Sequence, residues 1–287
     1  MNGEARESKW QRARNPRPIF LQERDQRIVS SVYEFGFLTR HQIQRLFDFN
    51  CVTRVNIRLR MLFDHSYLSR RFLPAIKGSS QALYFLGPQG VDLISQRIGI
   101  DPAIIKKKQR NYYERKELFL DHDLLLNDVR IGVYEALRKL PDTRLDQWVS
   151  YTDCLQEWNL RNPKTGCQSK AALRPDGYFR YFSGDKLFGC FLEVDRSTMS
   201  NSRFQSKVKL YLEYIRSGLY PSKYGLQFFR VLVVTETRQR LLNLKTATAQ
   251  LTDRIFWFAR ADRLREGSLF DQIWERPGKP GTFSLLE

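Results

Sequence analysis

Two apolar segments in the second half of the chain carry acidic side chains at their ends. Asp176 begins the first segment, and Glu193 and Asp195 end the second. Side chains alternate along a strand, so Glu193 and Asp195 point to the same face. If the two segments pair as a hairpin around Gly184, Asp176 lies near Glu193 and Asp195, and three acidic groups converge. Carboxylates this close repel one another unless a cation lies among them, so the pattern predicts Mg²⁺ or a bound basic partner.

The composition indicates a polyanionic partner. The 287 residues carry a formal net charge of +17, more than solubility requires, and nucleic acid is the simplest such partner. No stretch approaches the run of about eighteen apolar residues that a membrane-spanning helix needs. The N-terminus lacks the apolar core of an export signal, and the four cysteines are scattered without a CxxC pair. We therefore expect a cytoplasmic protein with reduced thiols and no membrane partner.

The first hundred residues have the pattern of three short helices followed by two strands. Ile28 and Val32 share one helix face, Thr39 with Gln42 forms a capping box, and Thr53 begins the third helical segment. Strand-like runs follow at 67–73 and 81–86. This order is the layout of a winged helix-turn-helix, in which the third helix enters the major groove and the hairpin, or wing, contacts the DNA backbone.

Polar side chains on the third helix supply the predicted DNA contacts. Arg54 and Arg58 lie one turn apart, and Asn56 has the amide that reads adenine. A basic arm precedes the domain and would lie along phosphates or in a minor groove. The full predicted set is Arg40, Thr53, Arg54, Asn56 and Arg58, with Lys77 in the wing and Arg12, Arg14 and Arg17 in the arm. The alternative is a protein-interaction module whose arginines form a solvated face.

A polar, lysine-rich stretch then predicts either a linker or the start of a long helix. Beyond it, the apolar periodicity gives the order α β β β α β α β. His122 falls on the apolar side of the long helix, where most histidines are core residues, and no second histidine is near enough in sequence to suggest a metal site. The predicted divisions are a basic arm (1–20), a winged helix-turn-helix domain (21–100), a linker (101–112), an α/β domain (113–270) and a tail (271–287).

The second domain resembles the restriction-endonuclease-like fold of the PD-(D/E)xK enzymes. The resemblance rests on Pro175 and Asp176 entering one strand and on Glu193 and Asp195 leaving the next. It implies that Asp176 and Glu193 hold a divalent metal, with a lysine two residues after the glutamate helping to activate water. That lysine position is Asp195 here, so the motif departs where the chemistry needs a cation. Lys207, early in the following helix, could supply a displaced ammonium group.

Over roughly 22–259 the chain also resembles the replication-relaxation family of plasmid and integrative-element proteins. The motifs are the N-terminal winged helix, Leu120 to Asp128 in the long helix, Asp176 with its preceding Arg-Pro, the segment from Phe191 to Arg196, and Lys207 with Tyr211. The resemblance implies a DNA-associated role in replication or mobilisation of a mobile element. It does not imply a catalytic activity.

The fold class expected is therefore α+β, with a winged helix-turn-helix followed by an α/β restriction-endonuclease-like domain that has a mixed central sheet. Three functions stay open. In the first, the chain binds double-stranded DNA and its second domain is a non-catalytic scaffold. In the second, that domain is a Mg²⁺-dependent endonuclease using Asp176, Glu193 and Asp195 with Lys207. In the third, the chain is an adaptor that recruits a protein partner to DNA. A homodimer would bring two winged helices to a palindromic site.

Overall fold

A computed structural model describes residues 10–74, 81–161, 168–197, 199–266 and 269–287. The chain forms two compact units, Met1–Asn127 and Asp128–Glu287. No helix within the described ranges is long and apolar enough to cross a membrane. The predicted α+β class, with helical and mixed α/β parts in that order, is confirmed.

Unit 1 contains three helices and a β-hairpin in the predicted order, followed by two further helices. Its elements are α1 (Glu23–Phe35), β1 (Leu38–Thr39), α2 (Arg40–Leu46), α3 (Val52–Asp64), β2 (Leu68–Phe72), β3 (Ala82–Leu86), α4 (Pro88–Ile98) and α5 (Pro102–Tyr113). The strands form an antiparallel sheet in the order β1-β3-β2. The predicted capping box is present, since the Thr39 hydroxyl accepts from the Gln42 amide at 3.1 Å and Gln42 Oε1 accepts from the Thr39 amide at 3.0 Å.

The segment predicted as a linker or as the polar start of a long helix is helical in the structure. Residues 102–112 lie in α5, which packs on unit 1 rather than leaving it. Ile105 is fully buried, and Gln109 Oε1 accepts a hydrogen bond from the Leu86 amide at 3.1 Å. The lysines of this segment are therefore the solvated face of an amphipathic helix.

Helix α6 (Glu117–Lys139) contributes its first part to unit 1 and the remainder to unit 2. Asn127 donates from Nδ2 to the Phe37 carbonyl at 2.9 Å, and Gln42 donates from Nε2 to the Leu124 carbonyl at 3.0 Å. These bonds satisfy backbone carbonyls with side-chain amides and attach the first part of α6 to unit 1. The compact units accordingly divide later in the chain than residue 112.

Unit 2 is built on a mixed five-stranded sheet in the order β10-β9-β8-β7-β4. Its elements are β4 (Thr143–Ser150), a 3₁₀ turn (Tyr151–Asp153), β5 (Gln156–Arg161), β6 (Gln168–Leu173), β7 (Gly177–Ser183), β8 (Lys186–Asp195), α7 (Asn201–Arg216), α8 (Leu219–Tyr224), β9 (Arg230–Thr235), α9 (Arg238–Ala249), β10 (Phe256–Arg260) and α10 (Ala261–Glu266). Strands β4, β7 and β8 are antiparallel, whereas β8, β9 and β10 are parallel. The mixed central sheet agrees with the prediction, and α6, β4, β7, β8, α7, β9, α9 and β10 follow one another along the chain in the predicted order α β β β α β α β.

The core of unit 2 is mainly aromatic. Phe191 on β8 lies between Tyr178 on β7 and Tyr211 on α7, with ring centroids 4.8 and 5.7 Å away. Parallel strands joined by helices place those helices against the sheet, so α7 covers the face to which Glu193 points. The β5–β6 hairpin was not predicted, and neither were the short helices α8 and α10. Among the described strands, β5 and β6 pair with each other alone.

The predicted tail packs on unit 2. Trp274 is fully buried and forms a backbone bridge with Phe283, and the Tyr181 hydroxyl donates to the Leu285 carbonyl at 2.7 Å. Residues 271–287 therefore cover part of the sheet.

Candidate functional site

The hairpin of β7 and β8 brings Asp176 next to Glu193, as the sequence predicts. Gly177 pairs with Leu192, which places Asp176 immediately outside the start of β7. The Asp176 amide donates to the Leu192 carbonyl at 3.0 Å, and its Oδ2 accepts from the Val194 amide at 2.8 Å. Backbone groups on either side of Glu193 thus fix Asp176, one through its amide and the other through its carboxylate.

Glu193 is held by two residues of α7. Its Oε2 forms an ion pair with Lys207 Nζ, and its Oε1 accepts from the Tyr211 hydroxyl at 2.6 Å. Lys207 and Tyr211 are four residues apart, so they share one face of the helix. Glu193 is only 5% exposed, and both of its oxygens therefore have protein partners inside the unit.

The protonation of this group follows from burial and charge. Burial raises the pKa of Glu193 to about 7, with a further increase from Asp176, because the attraction of Lys207 does not offset the loss of water. Burial by itself would lower the pKa of Lys207, but Glu193 and Asp176 outweigh it and raise that pKa above its ordinary value. Near neutral pH the site thus contains the charged Lys207 ammonium group beside a Glu193 carboxyl group that is protonated in part of the molecules.

Asp195 lies on β8 two residues beyond Glu193 but has a different partner. Arg240 of α9 donates to Asp195 from Nε at 2.7 Å and from Nη2 at 2.8 Å. The Ser197 amide also donates to Asp195 Oδ1, at 2.8 Å. A bidentate arginine matches the carboxylate plane, so both Asp195 oxygens are fully engaged.

The expectation that three acidic groups converge is therefore wrong. Asp176 acts on the charge of Glu193, but Asp195 is turned to Arg240. Across the described ranges, no group of three or more His, Cys, Asp or Glu side chains has the arrangement of a metal site. The alternation of side chains along β8 places Glu193 and Asp195 on one face, but it cannot show which neighbouring helix supplies the partner of each side chain.

A second layer of polar groups lies beside Tyr214 of α7. Gln156 Oε1 accepts from the Tyr214 hydroxyl at 3.0 Å and from Lys223 Nζ at 2.9 Å. Its Nε2 donates to the Cys154 carbonyl at 2.9 Å and to the Tyr224 hydroxyl at 3.0 Å. Gln156 thus uses its whole hydrogen-bonding capacity and connects the β5–β6 hairpin to α7 and α8.

Sequence reasoning missed Arg240, Gln156 and Lys223. Only Arg240 had a readable signal. The carboxyl ends of parallel strands meet at one edge of a sheet, so the residues after β9 had to lie near Asp195 at the end of β8. Gln156 and Lys223 lie in segments with no charge motif, and nothing in the chain order predicts their contact.

In unit 1, the α3 residues predicted to contact DNA divide into an exposed and an engaged set. Thr53, Arg54 and Asn56 are exposed on the first turns of α3. Arg58 instead forms an ion pair with Asp25 of α1, whose side chain is 1% exposed, and donates to the Phe20 carbonyl at 2.8 Å. Arg58 therefore attaches α3 to α1.

The basic arm is partly engaged by its own domain. The Arg12 guanidinium lies 4.3 Å from the Phe63 ring centroid and donates to the Leu68 carbonyl at 3.0 Å, whereas Arg14 and Arg17 are exposed.

Arg40, Lys77 and His122 are the remaining residues considered in the sequence. Arg40 is half-buried and reaches Gln44 Oε1 at 3.4 Å, and Lys77 lies outside the described residues. His122 is half-buried, with Nδ1 3.6 Å from the Asp123 carboxylate.

Comparison with solved structures finds two structures of restriction endonuclease FokI, one of them described as bound to DNA. The identities are 13% and 12%, and the TM-scores are 0.31 and 0.26. In each case 84% of this chain aligns with 43% of the other, so the chain spans less than half the length of these structures.

No curated protein matches the chain. A family model described as Replication-relaxation matches residues 29–228. That range contains most of α1, the other helices and strands of unit 1, the β7–β8 hairpin with Asp176, Glu193 and Asp195, and the α7 residues that hold Glu193. Since the match covers well over half of the sequence, the chain belongs to the Replication-relaxation family.

Proposed function

We propose that the chain binds double-stranded DNA through unit 1 and acts in replication, mobilisation or DNA processing of a plasmid or other mobile element. Family membership and the net charge of +17 support a DNA-processing role. In the same proposal, unit 2 is a nuclease-like domain without catalytic activity.

The observation that carries the DNA-binding proposal is the exposed first half of α3. Thr53, Arg54 and Asn56 are open to solvent, whereas Leu59 and Leu62 are fully buried. The Arg58–Asp25 pair adds a second anchor for the same helix. A helix fixed at its inner face that presents arginine and asparagine outward has the side chains used for reading bases in the major groove.

Arg54→Ala tests this proposal, with Arg97→Ala on α4 as the matched control for the loss of one exposed positive charge. Arg54→Ala should weaken duplex binding about tenfold or more and reduce the salt slope by about one. Arg58 is left unchanged in this test because its removal would unpair Asp25. Fluorescence anisotropy with a mixed set of duplexes over a salt series measures both quantities. Equal affinity and slope in both variants and wild type would contradict the assignment of α3 and favour an adaptor role.

The non-catalytic assignment is supported by the internal partners of the acidic groups. Lys207 and Tyr211 occupy Glu193, and Arg240 occupies Asp195. Mg²⁺ binds through carboxylate oxygens together with waters and phosphate oxygens. As arranged, the residues do not fit a magnesium site, since Glu193 beside Asp176 already has Lys207 as its counter-charge.

One observation favours a metal-dependent endonuclease as the second candidate. Lys207 reaches Glu193 from α7, so Asp176, Glu193 and a lysine do meet although the lysine has left its motif position. The roles of Asp176, Glu193, Asp195 and Lys207 in catalysis stay predictions, as do a homodimer, a protein partner and a cytoplasmic location.

A cleavage assay separates the two candidates. Purified protein is incubated with supercoiled, linear and single-stranded DNA in Mg²⁺, Mn²⁺ or chelator, beside Glu193→Gln and the exposed control Glu117→Gln. We expect no cleavage of any DNA form, with duplex binding retained. Metal-dependent nicking by wild type and Glu117→Gln but not by Glu193→Gln would overturn the non-catalytic assignment.

A further inference from the structure

Unit 1 contains a cavity of about 580 Å³ that the exposed α3 residues proposed to contact DNA do not line, although Arg12 of the arm does. It lies among the arm, the β2–β3 sheet and α5, and its lining includes Trp10, Phe63, Arg70, Gln109 and Tyr113. The volume is within the range of small-molecule sites, about 300–1,000 Å³.

Gln109 gives this cavity a buried donor. Its side chain is 5% exposed, and Oε1 accepts from the Leu86 amide at 3.1 Å, which fixes the orientation of the amide group. Within the described ranges, Nε2 has no hydrogen-bond partner. A buried donor without a partner is unfavourable, and a ligand acceptor in the cavity would satisfy it.

Arg70 adds a positive charge with unused donors. Its guanidinium lies 3.8 Å from the Phe63 ring centroid, and its buried Nε and Nη2 have no hydrogen-bond partner among the described residues. Burial lowers the pKa of Arg70, since nearby groups only partly offset the lost water. An anion placed beside these donors would accept from them and add to the partial counter-charge that Asp64 provides.

The other lining residues indicate which kind of molecule the cavity could bind. Lys106 contributes a further cation, and no acidic side chain of the described residues lines the cavity. Trp10, Phe63 and Tyr113 contribute aromatic rings. Cationic donors beside aromatic faces suit a molecule that joins an anionic group to a planar ring.

We propose that this cavity binds a small aromatic anion, a phosphate or carboxylate attached to a planar ring, with Arg70 and Lys106 facing the anion and Gln109 Nε2 donating to it or to a ring acceptor. Phe63 belongs to α3, so the bound molecule would contact the helix assigned to DNA. The ligand would thereby act as an effector of unit 1, separate from unit 2.

Gln109→Glu is the sharpest test, because it keeps the acceptor for Leu86 and replaces the unpaired donor with a carboxylate oxygen. Gln96→Glu, on the exposed face of α4, makes the same change in net charge away from the lining. Isothermal titration of the full chain uses AMP, indole-3-carboxylate and inorganic phosphate as probes. Trp10→Leu is a second variant at an exposed position, for use if Gln109→Glu does not fold by circular dichroism.

Saturable binding of AMP or indole-3-carboxylate, weakened about tenfold or more by Gln109→Glu and unchanged by Gln96→Glu, is the expected result. The probe that binds identifies phosphate or carboxylate as the anion. Trp10→Leu should weaken the ring-bearing probes alone. The proposal is overturned by no saturable binding of either ring-bearing probe, by equal binding in Gln109→Glu and wild type, or by inorganic phosphate binding as tightly as AMP.

Discussion

The two units treat their predicted functional charges differently. In unit 2, Glu193 and Asp195 are both buried and paired within the domain, by Lys207 and Arg240. In unit 1, Arg58 is paired in the same way, but Arg54 four residues earlier on the same helix is exposed. Glu193 and Asp195 of unit 2 are thus paired with basic residues of the same unit. On α3, Arg58 is paired with Asp25, whereas Arg54 is exposed to solvent.

This difference separates two uses of charge that look identical in sequence. A buried ion pair contributes little net stability relative to apolar packing, but breaking it leaves an uncompensated charge. An exposed arginine contributes little to stability and is available to a polyanion. We therefore expect substitutions at the paired groups to change the free energy of unfolding, and those at exposed α3 residues to change DNA affinity.

The largest effect is expected from Asp25→Ala in unit 1. The substitution leaves the Arg58 guanidinium without its carboxylate, which should lower the free energy of unfolding by about 3 kcal/mol or more. Asp92→Ala, at an exposed position on α4, is the matched control and should change it by less than about 0.5 kcal/mol. Urea denaturation followed by circular dichroism measures both. A loss in Asp25→Ala as small as in the control would mean that Arg58 is not an anchor.

Glu193 and Lys207 test the same idea in unit 2. At pH 8, Lys207→Met should lower the free energy of unfolding by about 2–3 kcal/mol, since it leaves Glu193 buried without its counter-charge. Glu193→Gln should cost little or nothing, because a carboxyl group with a pKa of about 7 gains little from being ionised in the folded chain. The double variant should lose less than the sum, with a coupling energy of about 1 kcal/mol or more. Simple additivity of the two losses would show that the pair is not coupled.

The order of elements could be predicted because it depends on local patterns. Apolar periodicity located the helices, the Thr39–Gln42 capping box is present, and the β7–β8 register brings Asp176 to Glu193 as expected. The sequence also placed Lys207 near the acidic residues. These features require only neighbours along the chain or one hairpin.

The engaged partners could not be predicted, because they are distant in sequence. Asp25 is 33 residues from Arg58, and Asp195 is 45 residues from Arg240. Periodicity shows that a charged side chain lies at a helix or strand position, but only packing shows which opposite charge meets it. The β5–β6 hairpin was missed for a related reason, since each of its strands is only six residues long and, among the described strands, they pair with each other alone.

Arg240→Gln should have an intermediate effect. It removes both hydrogen bonds to Asp195 from the α9 side, whereas the Ser197 amide continues to donate to Oδ1. Because charge-assisted hydrogen bonds contribute about 1.5–3 kcal/mol, we expect a loss of about 2 kcal/mol. Arg203→Gln, exposed on the first turn of α7, is the control in the same denaturation experiment. If the two variants lose the same amount, the bidentate contact does not stabilise unit 2.

The smallest effect is a pH dependence carried by Glu193. Its pKa is about 7 in the folded chain, against 4.5 for an ordinary glutamate in the unfolded chain. A raised folded pKa stabilises the fold below about pH 4.5, and this contribution is lost as pH rises through about 7. Glu193→Gln keeps the shape but does not titrate.

The difference in the free energy of unfolding, wild type minus Glu193→Gln, should therefore fall by about 1 kcal/mol or more between pH 5 and pH 8. Urea titrations at fixed ionic strength across that range measure the difference, and the subtraction removes the titration of the rest of the chain. A difference that stays constant or rises with pH would show that Lys207 outweighs burial at Glu193. The unit 2 site would then hold an ionised carboxylate at neutral pH, and the contrast with the exposed charges of α3 would be weaker than the structure implies.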